Sequence, residues 1–530
     1  TYGRAMPYPV LGTDDRDALC YLYGPCAGLV EARLFVPFVG SVAGQGGSRF
    51  TSDMALTNRS DVDSEVTINY KPALGTGEGT VEELVPAGRQ ILVSNVIDYL
   101  RAKGLAIPTT GDVGGTLRIT FKNVYTYDAT VTVRTRTDVP PTVTPVVGRA
   151  GLAYLGVNEE RLMLGPAWLL GLRQSELDDS NIAFQHAGVE GDANIRLRAT
   201  WYSPTGVAGL TPVERTLSPG GWTQFELPVL EPGATEGYVK VEMVDGRSPW
   251  YAYGVVNDRK NSDGSFIAPI ADVILQTQER VILPVAVEAG PYATEIILNN
   301  TTDTDKIMRL KWVADGLQFL STTIDYPVKA GHQLVIPDWV EELRKAGSYG
   351  VPSKGTRLAG AIYLSVPNGS LAGVSISARV LNPATDKAAK ATDWGLYGVH
   401  YPAQREICFT TQSSWLAGLR QDDLDRTNVA IINTGEVDAT VSNYLVEIFD
   451  GDTGLKAGET IVQNLPYERF IQLDRVIFNV TPLVKNAFIR VTAIDGENPF
   501  ITYAVLNDGS EPGKRSGDGA YIPSEIVSSN

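Results

Sequence analysis

The feature that most constrains this chain is a phrase written twice. "WLLGLRQSELDDSN" opens at Trp168 and "WLAGLRQDDLDRTN" at Trp415, 415 − 168 = 247 positions apart. Leu172, Arg173, Gln174, Leu177, Asp178 and Asn181 fall on Leu419, Arg420, Gln421, Leu424, Asp425 and Asn428 without a gap. A single local device would end there, but the match runs on. "YVKVEMVDGRSPWYAYGVVND" from Tyr238 parallels "FIRVTAIDGENPFITYAVLND" from Phe488, and "VIDYLRAKG" from Val96 parallels "WVEELRKAG" from Trp339. A copied unit of about 245 residues is too long for a solenoid repeat of roughly 20–50 residues, so it reads as tandem duplication of a domain pair.

Each copy has two parts that are unlike in sequence, giving an A-B-A-B order. The boundaries fall at 32–150, 151–279, 280–393 and 394–530, with an N-terminal arm over 1–31 that has no counterpart in the second half. Within the parts the dominant period is two. In "NIRLRATWY", Ile195, Leu197, Ala199 and Trp201 share one face while Arg196, Arg198 and Thr200 share the other, the pattern of a half-buried antiparallel strand. "EVTINY" from Glu65, "TVTVRTRT" from Thr130 and "GVSISARV" from Gly373 repeat it. Turn signals such as Asp245-Gly246 and Asp495-Gly496 separate the runs at sandwich-like intervals, so the expected class is all-β, four tandem antiparallel β-sandwiches. Two short helices stand out in the A parts. One is capped by Ser94 or Asn95 and stopped at Gly104, the other capped by Asp338 and stopped at Gly347. The phrase at Trp168 offers a further helical turn before its strand.

The net charge of -16 sets the chain against phosphate backbones, and without a Lys/Arg cluster nucleic acid is not expected as a partner. No run of about 18 apolar residues exists to span a membrane as a helix. The sequence begins at Thr1 with neither methionine nor a charged-then-apolar leader, as a secreted product does once its signal is removed, and a trimmed start accounts for this equally. Cys20 and Cys26 bracket "CYLYGPC", the spacing of a small disulfide loop, with two independent thiols as the alternative. Cys408, between Ile407 and Phe409, reads as a small buried apolar residue.

Catalytic chemistry finds little footing. His186 and His332 sit in turn-like contexts, His400 reads as seam packing, and none of the elbow, zinc-helix, phosphate-loop or Cys-x-x-Cys motifs is present. No catalytic residue and no cofactor are therefore expected. The acidic pairs Asp178-Asp179, Asp422-Asp423 and Glu341-Glu342 read as solvated surface among 61 acidic residues. Calcium is the one metal candidate, at the bent, oxygen-rich loops holding Asn257, Asp258 and Asp263 and holding Asn507, Asp508 and Asp518. The preserved phrases have a structural reading. Trp168 and Trp415 anchor the seam between an A part and its B part, while Asp178, Asn181, Asp425 and Asn428 bond nearby backbone where a loop becomes a strand.

"DRTNVAIINTG" at Asp425 and the ending "YAVLNDGSEPGKRSGDGAYIP" at Tyr503 resemble a repeated segment of secreted and surface proteins of bacteria, mostly uncharacterised. "FTSDMALTN" at Phe50 and "SARVLNP" at Ser377 resemble its companion segment, so the likeness covers most of residues 32–525. The first B copy departs with "DDSN" in place of "DRTN". The resemblance implies an Ig-like sandwich in an extracytoplasmic protein and implies no reaction.

The expected function is accordingly a non-enzymatic extracellular structural protein: a rigid string of sandwiches assembling with its own copies into a filament, sheath or surface layer, through sandwich contacts or the arm. An adhesin or glycan-binding surface protein, and an accessory region of a secreted enzyme, are the alternatives.

Overall fold

The computed structural model describes residues 30–44, 47–139, 148–209, 211–227, 234–315, 321–348, 350–367, 369–383, 395–435, 441–495 and 497–526. Cys20, Cys26 and nearly all of the N-terminal arm lie outside them. The described chain is almost entirely antiparallel β, with four short helices.

The strands fall into four consecutive sets of nine, over Glu31–Asn158, Ala167–Ala271, Val281–Arg405 and Ser413–Ile526. Numbered from one within each set, every set has the same sheet order: fourth-third-sixth-first-ninth in a five-stranded sheet and fifth-second-seventh-eighth in a four-stranded one. In the first set the two sheets also join where Ser41–Ala43 pairs with Arg49–Thr51. The A and B parts, unlike in sequence, thus share one strand order. Strands Arg149–Leu155 and Val157–Asn158 complete the first set, and Leu396–Pro402 and Gln404–Arg405 the third, so the sheets hand over some residues later than the sequence boundaries at 151 and 394.

Each set folds because its alternating apolar residues meet over a shared core. In "NIRLRATWY" the expected face is the buried one, with Ile195, Leu197, Ala199 and Trp201 inside. The core of the first set joins Leu34, Ile68 and Leu117 of one sheet to Met54, Val131 and Val133 of the other. The first strand of every set carries a register shift against the sixth, at Val36/Val39, Leu169/Leu172, Leu283/Ala286 and Leu416/Leu419. Such a bulge bends the strand and re-aims its backbone.

Both A-part helices form as the caps predict. Asn95 accepts the Asp98 N–H ahead of Val96–Ala102, Asp338 accepts the Glu341 N–H ahead of Trp339–Lys345, and Gly104 and Gly347 follow with positive φ. Their inner faces, Val96, Ile97 and Leu100, and Trp339, Val340 and Leu343, enter the cores. The expected helical turn at Trp168 is absent: Ala167–Arg173 is a strand. The bulge at Leu169/Leu172 puts apolar side chains out of strict alternation, which imitates a helical period.

The sets contact one another cyclically. Phe35 and Phe38 of the first pack on Ala183, Tyr251 and Tyr253 of the second. Ala430, Ile432 and Phe470 of the fourth enter the core of the third. Of the remaining two contacts, second to third is polar, while fourth to first joins polar pairs to an apolar patch where Ala153 and Leu155 of the first set pack on the core of the fourth. A chain expected as a string of sandwiches closes into a ring. Among the described residues no helix is long and apolar enough to cross a membrane.

Candidate functional site

The bulges explain how the polar contacts are aimed. At each B-part bulge a glycine takes positive φ, Gly171 at 80° and Gly418 at 75°, a conformation costly for other residues. Gly418 thereby donates its N–H to Oε1 of Gln90 at 2.7 Å, and Gly171 donates to Oε1 of Gln333 at 3.1 Å. Gln90 lies in the first set and Gln333 in the third, so each glycine reaches across a seam. The same glutamines donate their own N–H groups back, to the Gly451 and Pro204 carbonyls, both at 2.9 Å.

The charged residues follow the same pairing. Arg134 bonds Asp425 at 2.6 Å, and Arg379 bonds Asp178 at 2.9 Å. Arg420 pairs with Asp53 at 3.1 Å, and Arg173 pairs with Glu295. The Arg149 N–H donates to Asp508 at 3.1 Å and that of Leu396 to Asp258 at 2.8 Å. Gly151 N–H reaches Asp518 at 2.9 Å, and Gly398 N–H reaches Asp263 at 2.6 Å. One contact set is therefore made twice, by the first set with the fourth and by the third with the second.

Burial makes these contacts consequential. Asp425 is 1% exposed and Arg134 3%, and a charge taken from water needs a partner or costs several kcal/mol. Burial alone would raise the Asp425 carboxyl, but Arg134 and Arg149 outweigh it and hold the group down at about 2. Asp53 is lowered too, Arg136 and Arg420 prevailing over burial. Asp263 goes the other way: burial, together with nearby Asp258, pushes it up to about 7 against the Gly398 N–H and Arg379. Asp518 is raised by burial and by Asp263, so these two carboxyls, one from each seam, share the middle of the ring. Each leaves one oxygen without a partner among the described residues. Strand Arg149–Leu155 touches Gly264–Ile267 and Gly519–Pro523 there, and both of those touch Leu396–Pro402.

The sequence-predicted residues distribute as follows. Asp178 and Asp425 are at the heart of the seams, their side chains reaching arginines of another set rather than nearby backbone. Asn428, inside strand Asp425–Asn433, accepts the Arg475 N–H at 3.0 Å from a residue far along the chain, while Asn181 lies half-buried in mid-strand opposite Glu226 and Val255. Trp168 packs at a tilt against Tyr202 and Tyr238 and donates to Asp272 at 2.7 Å. Trp415 packs on Phe449 and Phe488 with Arg59 of the first set over its ring.

The loop acids named for calcium are drawn inward. Asp258 and Asp508 accept several N–H groups each, and Asn507 donates to the Val505 carbonyl at 3.2 Å. Asn257 pairs in its strand with Asp179 and Gly264. Among the described residues no group of three or more His, Cys, Asp or Glu side chains is placed to hold a metal ion. His400 is buried beside Arg379, and burial, then that charge, pushes it down to about 3. His186 is buried at a strand end, accepting the Gly188 N–H through Nδ1 with Nε2 on the Ala193 carbonyl. His332 lies in the turn before Gln333–Ile336.

Two expectations are corrected. Asp178-Asp179 is not solvated surface: both are buried, Asp178 beneath Arg379 of the third set and Asp179 within its own set. Cys408 is exposed rather than buried: a 3-10 turn over Glu406–Cys408 turns it outward and gives the inside position to Phe409. Sequence reasoning missed Arg134, Arg149, Arg379, Gln90, Gln333, Asp53 and Glu295. Their signal was the polar residues that recur at matching positions of the two A parts, as in "GRQILVSN" from Gly88 and "GHQLVIPD" from Gly331. No family model matches the sequence, and no curated protein matches it.

Proposed function

We propose that the chain is an extracellular, non-enzymatic structural protein, an ancestral pair of Ig-like sandwiches doubled in tandem, which assembles with copies of itself. The observation that carries this reading is the double use of one contact set: the side chains preserved between the two halves are spent on docking one set of strands against another. The acidic surface, with a net charge of -16, suits a block that stays soluble until a specific contact forms. Strands Gly79–Val85, Val213–Leu217, Ser321–Val328 and Lys456–Leu465 end their five-stranded sheets and offer backbone to a further strand. Electron microscopy of the purified protein over rising concentration tests the proposal. Oligomers or fibres are expected; single particles at the highest concentration would overturn it.

A further inference from the structure

The two polar seams together form one interface between two halves, residues 30–271 and 281–526. Among the described residues no sheet runs across it, and residues 272–280 are the stretch of chain that joins the halves. Inside each half the two sets are held by large apolar clusters, whereas between halves the contact is chiefly the ion-pair and amide set made twice, with small apolar contacts of Ala153 and Leu155 on the fourth set and of Val139 and Ala150 on Tyr397. The A side of each seam offers arginine, Arg134 and Arg149 or Arg379. The B side offers carboxylates, Asp425, Asp508 and Asp518 or Asp178, Asp258 and Asp263, and one pair in each seam runs the other way, Arg420 of the B side with Asp53 and Arg173 with Glu295. That is how the two faces of a symmetric dimer complement each other, here with both partners on one chain.

We infer that this interface also takes a second copy of the chain, one half docking on the opposite half of a neighbour by domain exchange. Nothing in the seam distinguishes a half supplied by the same chain from one supplied by another, since every contact is non-covalent and the connector alone makes the pairing internal. The inference rests on the proposed self-assembly only in naming a second copy as the partner. A reciprocal exchange closes a dimer, and an unreciprocated one continues into a chain of molecules.

Two full-length variants test it. Arg134→Asp sets a carboxylate against Asp425, and Asp425→Arg sets a guanidinium against Arg134; each clash arises whether halves pair within one chain or between chains of the same variant. Mixed, the variants escape it only by exchange. The new carboxylate of one chain then meets the new guanidinium of the other, while native Arg134 and Asp425 meet in the equivalent seam of the pair.

Light scattering of the mixture is expected to show a species of twice the 57.2 kDa chain mass, at least tenfold more abundant than in either variant alone. Single-chain mass in the mixture, with the doubly substituted chain folded, would overturn the inference. Should a single variant not fold, wild-type chains of two isotopic masses refolded together at high concentration replace it: mixed-isotope dimers support exchange, and single chains alone sink it. Wild-type fibres whose formation is unmoved by these substitutions would leave the assembly reading standing and remove the exchange. Exchange without any wild-type assembly would do the reverse.

Discussion

Asp425 meets two guanidiniums, Arg134 and Arg149, in a site closed to water. Replacing it with alanine leaves Arg134 buried without its carboxylate and leaves Arg149 with Asp508 alone, a loss of about 3–5 kcal/mol on the scale of broken buried pairs, to be read from urea unfolding. Its lowered carboxyl lies at about 2 against roughly 3.9 in an unfolded chain, so its contribution is complete above about pH 4 and fades as pH falls through 2. Asp263 acts in the opposite sense. With its folded value raised to about 7, the native chain holds an extra proton between about pH 4 and 7, and stability declines as pH rises through that window. Asp263→Asn keeps a carbonyl for the Gly398 N–H and removes the charge, so its melting temperature relative to wild type is expected to be higher at pH 8 than at pH 4.5. Equal shifts at both pH values would contradict the assignment. That Asp178 and Asp425 are preserved was legible in the repeat. Their role was not, because a sequence period marks which face of a strand is polar without saying what packs on it.

The strands at Thr130 and Gly373 show this at the scale of the element. Their alternation led to one buried face, yet Thr130, Thr132 and Arg134, and Ser375, Ser377 and Arg379, are buried too, since the fourth and second sets cover the polar side. The capped helices were legible because the cap, the apolar face and the terminal glycine all act within one short segment. The bulges were not, since a glycine in "WLLGLR" acquires its meaning from the sixth strand it pairs beside and the glutamine it faces. Gly418→Ala is the direct probe. A Cβ there would stand 2.6 Å from that of Thr132, on a backbone with φ of +75°. The conformation alone costs about 1–2 kcal/mol, and the clash adds to it by parting the seam. Thermal unfolding of this variant, with Gly165→Ala as a control in open space, measures the difference; equal midpoints would remove the bulge from the account.

At the scale of the whole molecule the duplicated phrase was visible at once, while the identity of strand order between A and B parts and the closure of the first set on the fourth were not. Both depend on contacts between residues hundreds of positions apart, such as Gln90 with Asn486, and on matching A-part polar residues to B-part ones. The central claim is that one contact set, used twice, closes four sets of strands into a compact ring. Small-angle X-ray scattering of the single chain in dilute solution tests it most directly. A compact 530-residue body has a radius of gyration of about 24 Å, and the closed ring is expected within a few Å of that value. A radius nearly twice as large, with the distance distribution of an extended rod, would contradict it.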